Sequence, residues 1–285
     1  MVKTWLITGT SSGLGRLLAE RLLQRGERVV ATLRREGTFD DLKKQYNDRL
    51  HVLTLDVTEV RAVRANIAAA FEAMGHIDVV VNNAGYGLFG AAEEVTDEQI
   101  DRQIATNLTG SIQVIRAALP HLRRQGGGRI IQVSSEGGQI AYPNFSLYHA
   151  TKWGIEGFVE SVAKEVAPFG IDFVIVEPGP TDTQFGAGLD HAVPMPEYDD
   201  TPAGELRRAI ASNSFAIRGD ASKTVAAMIV AADSAHPPLR LTLGGGAYDS
   251  IRDALTERLS MLEAQKDIAF SADSTNQADR RRGAR

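Results

Sequence analysis

The chain has no cysteine among its 285 residues. That excludes disulfides, thiolate metal sites and cysteine nucleophiles, and it agrees with a reducing compartment. Long hydrophobic runs are missing too: no stretch of about 18 apolar residues occurs, so no membrane-spanning helix is expected. Near the start, "WLIT" gives way to "GTSSG" within a few residues, too short for the apolar region of a secretory signal. An excess of positive charge is also lacking. With 31 basic and 36 acidic residues the formal net charge is −5, which gives no general attraction to nucleic acid or to an anionic membrane. The six histidines are scattered without ligand-like spacing, so no metal site is expected. A cytoplasmic protein is the expectation these absences leave.

There is no internal repeat, and no Pro/Gly/Ser-rich linker before residue 180. Hydrophobic residues at 43% and charged residues at 24% are ordinary globular usage. The length suits one large domain with a sizeable core, read as residues 1–270. The remaining 271–285, ending in "ADRRRGAR", are poor in apolar residues and are expected to be a solvated, disordered tail.

Short apolar runs alternate with stretches of helical length. "TWLIT" precedes a helical pattern over 14–25, "RVVATL" and "LHVLTLDV" precede one over 59–74, "IDVVVNN" precedes one over 97–124, "RIIQVSS" precedes one over 146–167, and "IDFVIVEPG" follows. Strands apolar on both faces and separated by helices predict a parallel sheet covered on both sides. The expected fold is therefore α/β, a doubly wound three-layer α/β/α sheet with the Rossmann strand order leading. The alternation falters from about 181 to 220, where Gly, Pro and acidic residues accumulate, and a covering segment over 184–220 is expected there. A helix over 221–232, the strand "LRLTL" and a helix over 248–265 would complete the domain.

Directly after the first strand comes "TGTSSGLG", followed by an amphipathic helix. Gly9, Gly13 and Gly15 allow positive φ and close backbone approach, and the helix N-terminus presents unpaired N–H groups at a positive dipole end. A diphosphate fits such a turn, with Ser11, Ser12 and Leu14 completing the contact. The second strand ends in Leu33, where an NAD site would place Asp or Glu against the ribose hydroxyls; here Arg34 and Arg35 follow instead. Arg34 beside the 2′-phosphate makes NADP(H) the preferred cofactor, with NAD(H) as the alternative.

In "YHATK", Tyr148 and Lys152 lie four residues apart and share one helix face. A free phenol with pKa about 10 is a poor base at neutral pH and needs a cation beside it, which Lys152 can supply. "TGTSSGLG", "NNAG", "NLTG", Ser135, "YHATK" and "PGPTDT" resemble, in order and spacing, the classical short-chain dehydrogenases/reductases, across roughly residues 4–183. "VVATLRR" and the C-terminal "LRLTLGGGAYDSIRDALTERLSMLEAQ" further resemble the subgroup similar to 17β-hydroxysteroid dehydrogenase type 1.

The resemblance implies a division of labour. Tyr148 would be general acid in reduction and base in oxidation, and Lys152 would also bond the nicotinamide ribose. Ser135 would hold the substrate oxygen; Ser134 would point to the other side of the strand. Asn107 would hold a water in a proton relay, or else mark a local kink. Asp56, with Val57, would contact adenine, and Asn83, Ala84 and Gly85 would line the adenosine side. Pro178, Gly179, Thr181 and Thr183 would close over the nicotinamide. Tyr142, Phe145 and Phe185 are candidate apolar contacts to substrate or else core residues, and His51 and His149 need no function. The expected partner is a small carbonyl or alcohol substrate, handled by a homodimer or homotetramer. The competing readings are a non-catalytic dinucleotide sensor on the same fold and an epimerase or dehydratase.

Overall fold

The computed structural model describes residues 2–35, 37–212, 214 and 217–273. Phe215, within the expected covering segment, and the tail beyond residue 273 lie outside the described residues. In chain order the main elements are β1 (Thr4–Ile7), α1 (Gly13–Gln24), β2 (Arg28–Leu33), α2 (Asp40–Tyr46), β3 (Leu50–Thr54), α3 (Val60–Met74) and β4 (Val79–Asn82). They continue with α4 (Asp97–Ile104), α5 (Ser111–Gln125), β5 (Gly128–Val133), α6 (Ser146–Val166), β6 (Ile171–Pro178), α7 (Pro202–Ala211), α8 (Ala221–Asp233), β7 (Arg240–Leu243), α9 (Gly245–Ala264) and α10 (Lys266–Ser271). No helix among the described residues is long and apolar enough to cross a membrane.

Strand alternation builds two cores. Trp5, Ile7, Val29, Ala31, Val79, Val81, Ile131, Val174 and Val176 face α1 and α8, packing on Leu18, Leu22, Leu23, Val225 and Met228. Their neighbours Leu6, Val30, Val80, Ile130, Phe173 and Ile175 face the other way, onto Ile67, Ile115, Leu122, Ile155 and Val159 of α3, α5 and α6. Successive side chains on a strand point to opposite faces, so strands apolar at every position require helices on both sides. The result is the expected three-layer doubly wound fold.

The seven strands are hydrogen-bonded in the order β7-β6-β5-β4-β1-β2-β3, and every pairing is parallel. Chain order runs outward from β1 to β3, then restarts at β4 on the other side of β1. That reversal leaves a crevice beyond the C-terminal ends of β1 and β4, where doubly wound sheets place their ligands.

Two expectations need correction. The helical pattern over 97–124 is not one helix: a π-helical turn, Ala105–Gly110, separates α4 from α5. Both faces of this turn are constrained. The Asn107 side chain is engaged by the neighbouring Tyr86 peptide, and a Cβ on Gly110 would lie 2.9 Å from the Val57 carbonyl oxygen. The stretch over 181–220 is also less irregular than its composition suggests. It contains α7, capped by the Thr201 hydroxyl on the Ala203 N–H at 3.2 Å and started by Pro202, whose missing donor costs nothing there. Only Ala203 and Gly204 of this helix are buried, so it carries little hydrophobic periodicity.

Candidate active site

At the end of β1, the Thr8 hydroxyl accepts the backbone N–H groups of Asn83 at 3.0 Å and Ala84 at 3.1 Å. The Asn83 side-chain amide donates to the carbonyls of Thr8 and Gly9, both at 3.0 Å. The "TGTSSGLG" turn and the "NNAG" segment are thus stitched into one wall of the crevice. Gly9 has φ +71°, and a Cβ there would lie 2.7 Å from Ala84 Cα; one on Gly15 would lie 2.5 Å from the Gly9 carbonyl oxygen. Only glycine permits this packing. Ser12, ahead of α1, makes no side-chain cap, and no acidic residue occupies the first turn. The N–H groups opening α1 are left for an anion, and a diphosphate matches their donor chemistry.

At the end of β2, Leu33 is buried while Arg34 and Arg35 are exposed. Beside them Leu33, Phe39, Lys43 and Thr54 line an open cleft. Asp56 spends one carboxylate oxygen on the N–H of Thr58 at 2.9 Å and its hydroxyl at 2.8 Å, a turn that orients the side chain.

The chemical end assembles from β5 and α6. Ser135 is extended at the end of its strand, and its hydroxyl accepts the Gly137 N–H at 3.1 Å. Ser134 faces the opposite way, donating to Glu156, as strand alternation requires. Tyr148 and Lys152 are both buried on the face of α6 turned to Ser135, with the Lys152 ammonium 5.5 Å from the Tyr148 ring centroid. Lys152 donates to the Val133 carbonyl at 3.1 Å.

Burial dominates the electrostatics of this pair. It pushes the Tyr148 phenol up to about 12; the Ser135 hydrogen bond opposes it, and the charges of Glu136 and Glu156 add to it. It pushes the Lys152 ammonium down to about 8, partly offset by Glu156 one helical turn further on. Loss of solvation is the largest influence on both groups, favouring the neutral phenol and the neutral amine. At neutral pH the phenol holds its proton and the lysine its charge.

Asn107 sits in the π-helical turn with both ends of its amide used: it accepts the Tyr86 N–H at 3.1 Å and donates to the Tyr86 carbonyl at 2.8 Å. Its side chain positions the chain after Gly85. Phe145 and Phe185 stand edge-on to the Tyr148 ring at 6.0 and 5.7 Å, and Tyr142 packs on Phe145 at 5.4 Å. Gly179 follows β6 and donates to the Leu243 carbonyl at 3.0 Å; the Thr181 hydroxyl returns to the Gly179 carbonyl at 2.8 Å. Thr183 Cβ comes within 3.9 Å of the place a Cβ would take on Gly13. The segment after β6 thus closes on the glycine turn, bringing every candidate group to one rim of the sheet.

His149, Glu156 and Glu177 also contribute, although the sequence motifs assign them no role. His149 is buried; its Nδ1 donates to the Gly137 carbonyl at 2.9 Å and its Nε2 accepts the Tyr142 N–H at 3.3 Å, tying the Ser135 turn to Tyr142. Glu156 and Glu177 are buried and converge on Arg240, which also meets Glu160 at 2.8 Å. Of these, only Glu156 was accessible to spacing, as the residue four beyond Lys152. Glu136, directly after Ser135, is buried as well.

The family model described as short chain dehydrogenase matches residues 3–193. A crystal structure of a short-chain dehydrogenase from Streptomyces avermitilis is similar at 37% identity and a TM-score of 0.89, over 96% of this chain and 100% of that one. The structure of ElxO with NADP bound is similar at 25% identity and a TM-score of 0.73, covering 87% and 100% of the two chains. The 3-ketoacyl-(acyl-carrier-protein) reductase from Brucella melitensis, complexed with NADH, is similar at 26% identity and a TM-score of 0.72, covering 86% and 98%. With the site's geometry and these likenesses in agreement, the chain belongs to the short-chain dehydrogenase/reductase family.

Proposed function

We propose that this protein is an NADP(H)-dependent oxidoreductase acting between a carbonyl and the corresponding alcohol, with Tyr148 as general acid and base. The observation that carries this reading is the buried convergence of Ser135, Tyr148 and Lys152 at the rim of the crevice beyond β1 and β4. The dinucleotide supplies or accepts the hydride. The chain's own residues do the rest. Ser135 donates a hydrogen bond to the substrate oxygen and offsets the negative charge that develops on it. Tyr148 delivers the proton in reduction and removes it in oxidation. Lys152, charged below about pH 8, stabilises the phenolate left behind.

Gly9, Ser11, Ser12, Gly13, Leu14 and Gly15 would hold the diphosphate, Asp56 and Val57 the adenine, and Asn83, Ala84 and Gly85 the adenosine side. Pro178, Gly179, Thr181 and Thr183 would hold the nicotinamide. Asn107 holds the N–H and carbonyl of Tyr86 and would hold a water in a proton relay to Lys152, and Tyr142, Phe145 and Phe185 would shape the substrate pocket. Arg34 favours NADP(H), because the end of β2 has a guanidinium and lacks the acid that would pair with an unphosphorylated ribose. ElxO is bound to NADP and the Brucella melitensis reductase to NADH, so the choice rests on that position.

Parallel titrations with NADPH and NADH, followed by reduced-nicotinamide fluorescence, test the cofactor choice, and a ketone and aldehyde panel tests turnover. Preference for NADPH that falls at least tenfold in Arg34→Ala supports the reading, whereas equal binding of NADPH by both proteins overturns the role of Arg34. Tyr148→Phe should lower kcat by about 10²–10⁴ while still binding dinucleotide. Binding without turnover of any carbonyl would favour a dinucleotide sensor.

A further inference from the structure

Among the described residues five glutamates are buried, Glu27, Glu94, Glu136, Glu156 and Glu177. Four of them have partners. Glu27 accepts the Lys3 N–H and faces Arg25. Glu94 accepts the Ala91 and Met195 N–H groups and Arg207. Glu156 and Glu177 share Arg240, with Ser134, Gln139 and Thr242 completing their bonds. Glu136 is only 6% exposed, yet among the described residues no hydrogen bond or ion pair reaches its carboxylate. Burial raises its pKa.

Its position is next to the chemistry. Glu136 follows Ser135 in the turn whose Gly137 N–H the serine accepts. One carboxylate oxygen lies 3.4 Å from where a Cβ would sit on Gly179, and its charge acts on the phenols of both Tyr142 and Tyr148. The Glu136 side chain is largely buried while its carboxylate oxygens keep some contact with solvent and take no donor from the described residues, so they are placed to accept one from a ligand.

We propose that Glu136 is a specificity-determining residue of the substrate pocket, accepting a hydrogen bond from a hydroxyl or ammonium group carried close to the reacting carbonyl and turning away carboxylates at that place. This rests on the carbonyl-reductase reading and narrows its substrate class to ketones or aldehydes bearing a neighbouring donor. The aromatic rings of Phe145 and Phe185 beside Tyr148 supply the apolar remainder of the pocket.

A near-isosteric set separates the possibilities: 2-hydroxyacetophenone, 2-aminoacetophenone, propiophenone and benzoylformate. They present a hydroxyl, an ammonium, a methyl and a carboxylate at the same place. Dissociation constants are measured by calorimetry on the protein saturated with oxidised dinucleotide, so that binding is read without turnover; reduction of the same ketones is assayed separately. In the wild type at least one donor ketone should bind about tenfold or more tighter than propiophenone, with benzoylformate weakest, as a charge-assisted hydrogen bond requires. The hydroxyl and ammonium arms show which donor is preferred. In Glu136→Leu the donor advantage should fall to within about twofold, and in Glu136→Gln benzoylformate should gain about tenfold. Dinucleotide affinity and Tm report that both variants fold. Unchanged ratios in the two variants, or no donor advantage in the wild type, overturn the proposal. Donor-selective binding without reduction would keep Glu136's role while overturning the reductase reading.

Discussion

At the residue scale, the active-site pair is defined by how much solvation it loses. Lys152 below its usual range means that the pH profile of ketone reduction should break near pH 8, because protonated Lys152 is needed and is lost as pH rises through that value. Glu156 opposes the shift, so Glu156→Gln should move the break to lower pH; a kcat/KM profile between pH 6 and 10 reads it directly. A stability consequence has the opposite sense. A lysine whose folded pKa is depressed penalises the fold fully below about 8, where both states are protonated, and releases the penalty as pH rises towards the unfolded value near 10.4. Lys152→Met should therefore abolish turnover yet stabilise the protein at pH 7, by on the order of 1–3 kcal/mol, observable as a Tm raised by a few degrees. A Tm lower than wild type would show that the hydrogen bond to Val133 outweighs desolvation.

At the scale of elements, β7 is held to α6 and β6 by one cation. Arg240 meets Glu156, Glu160 and Glu177, and its pKa is raised by these hydrogen bonds and charges despite burial. Arg240→Leu would leave two carboxylates buried without a countercharge, an imbalance worth about 3–5 kcal/mol of stability. Chemical denaturation should show that loss, and the additional Glu156→Gln and Glu177→Gln changes should restore part of it. The π-helical turn between α4 and α5 is a second such joint. Asn107→Ala would strand the Tyr86 N–H and carbonyl, costing about 1–3 kcal/mol and displacing the Gly85 wall of the crevice. Activity should fall more than dinucleotide binding, and wild-type kcat in Asn107→Ala would refute the positioning role. The helices and strands themselves were readable from apolar periodicity, and Asn107 in mid-pattern marked the place of a local kink, but the form of the turn and its contacts with Tyr86 and Val57 were not readable.

At the scale of the whole molecule, the segment after β6 is tied back over the crevice. Leu88–Phe89 and Asp190–His191 pair as short parallel strands; Gln99 and Arg102 of α4 hold Asp190, and Glu94 binds both the Met195 N–H and Arg207 of α7. Arg102 is exposed, so its pairing contributes little to stability, whereas Glu94 is buried and central. Glu94→Ala should speed limited proteolysis within residues 184–212 at least severalfold while leaving the Tm of the sheet little changed. Equal cleavage rates in the two proteins would mean that the short strands alone hold the cover. The far end of the molecule behaves differently: α9 buries only Ala247 and Ile251 and leaves Tyr248, Leu255, Leu259 and Leu262 exposed, while Arg258 anchors it over Trp153 at 5.0 Å.

What the sequence determined by itself is everything set by local geometry. Apolar runs and their spacing specified the strands and their two-sided burial, glycines at 9, 13 and 15 marked the anion turn, and four-residue spacing put Tyr148 beside Lys152, since a helix fixes which neighbours share a face. Tertiary structure decided what depends on groups far apart in the chain. It brought Ser135 to Tyr148, gave His149 the task of joining the Ser135 turn to Tyr142, satisfied Glu156 and Glu177 through Arg240, and left Glu136 without a donor. The reason is that pKa values and hydrogen-bond satisfaction are properties of an environment, and an environment exists only once distant segments have packed and water has been excluded from between them.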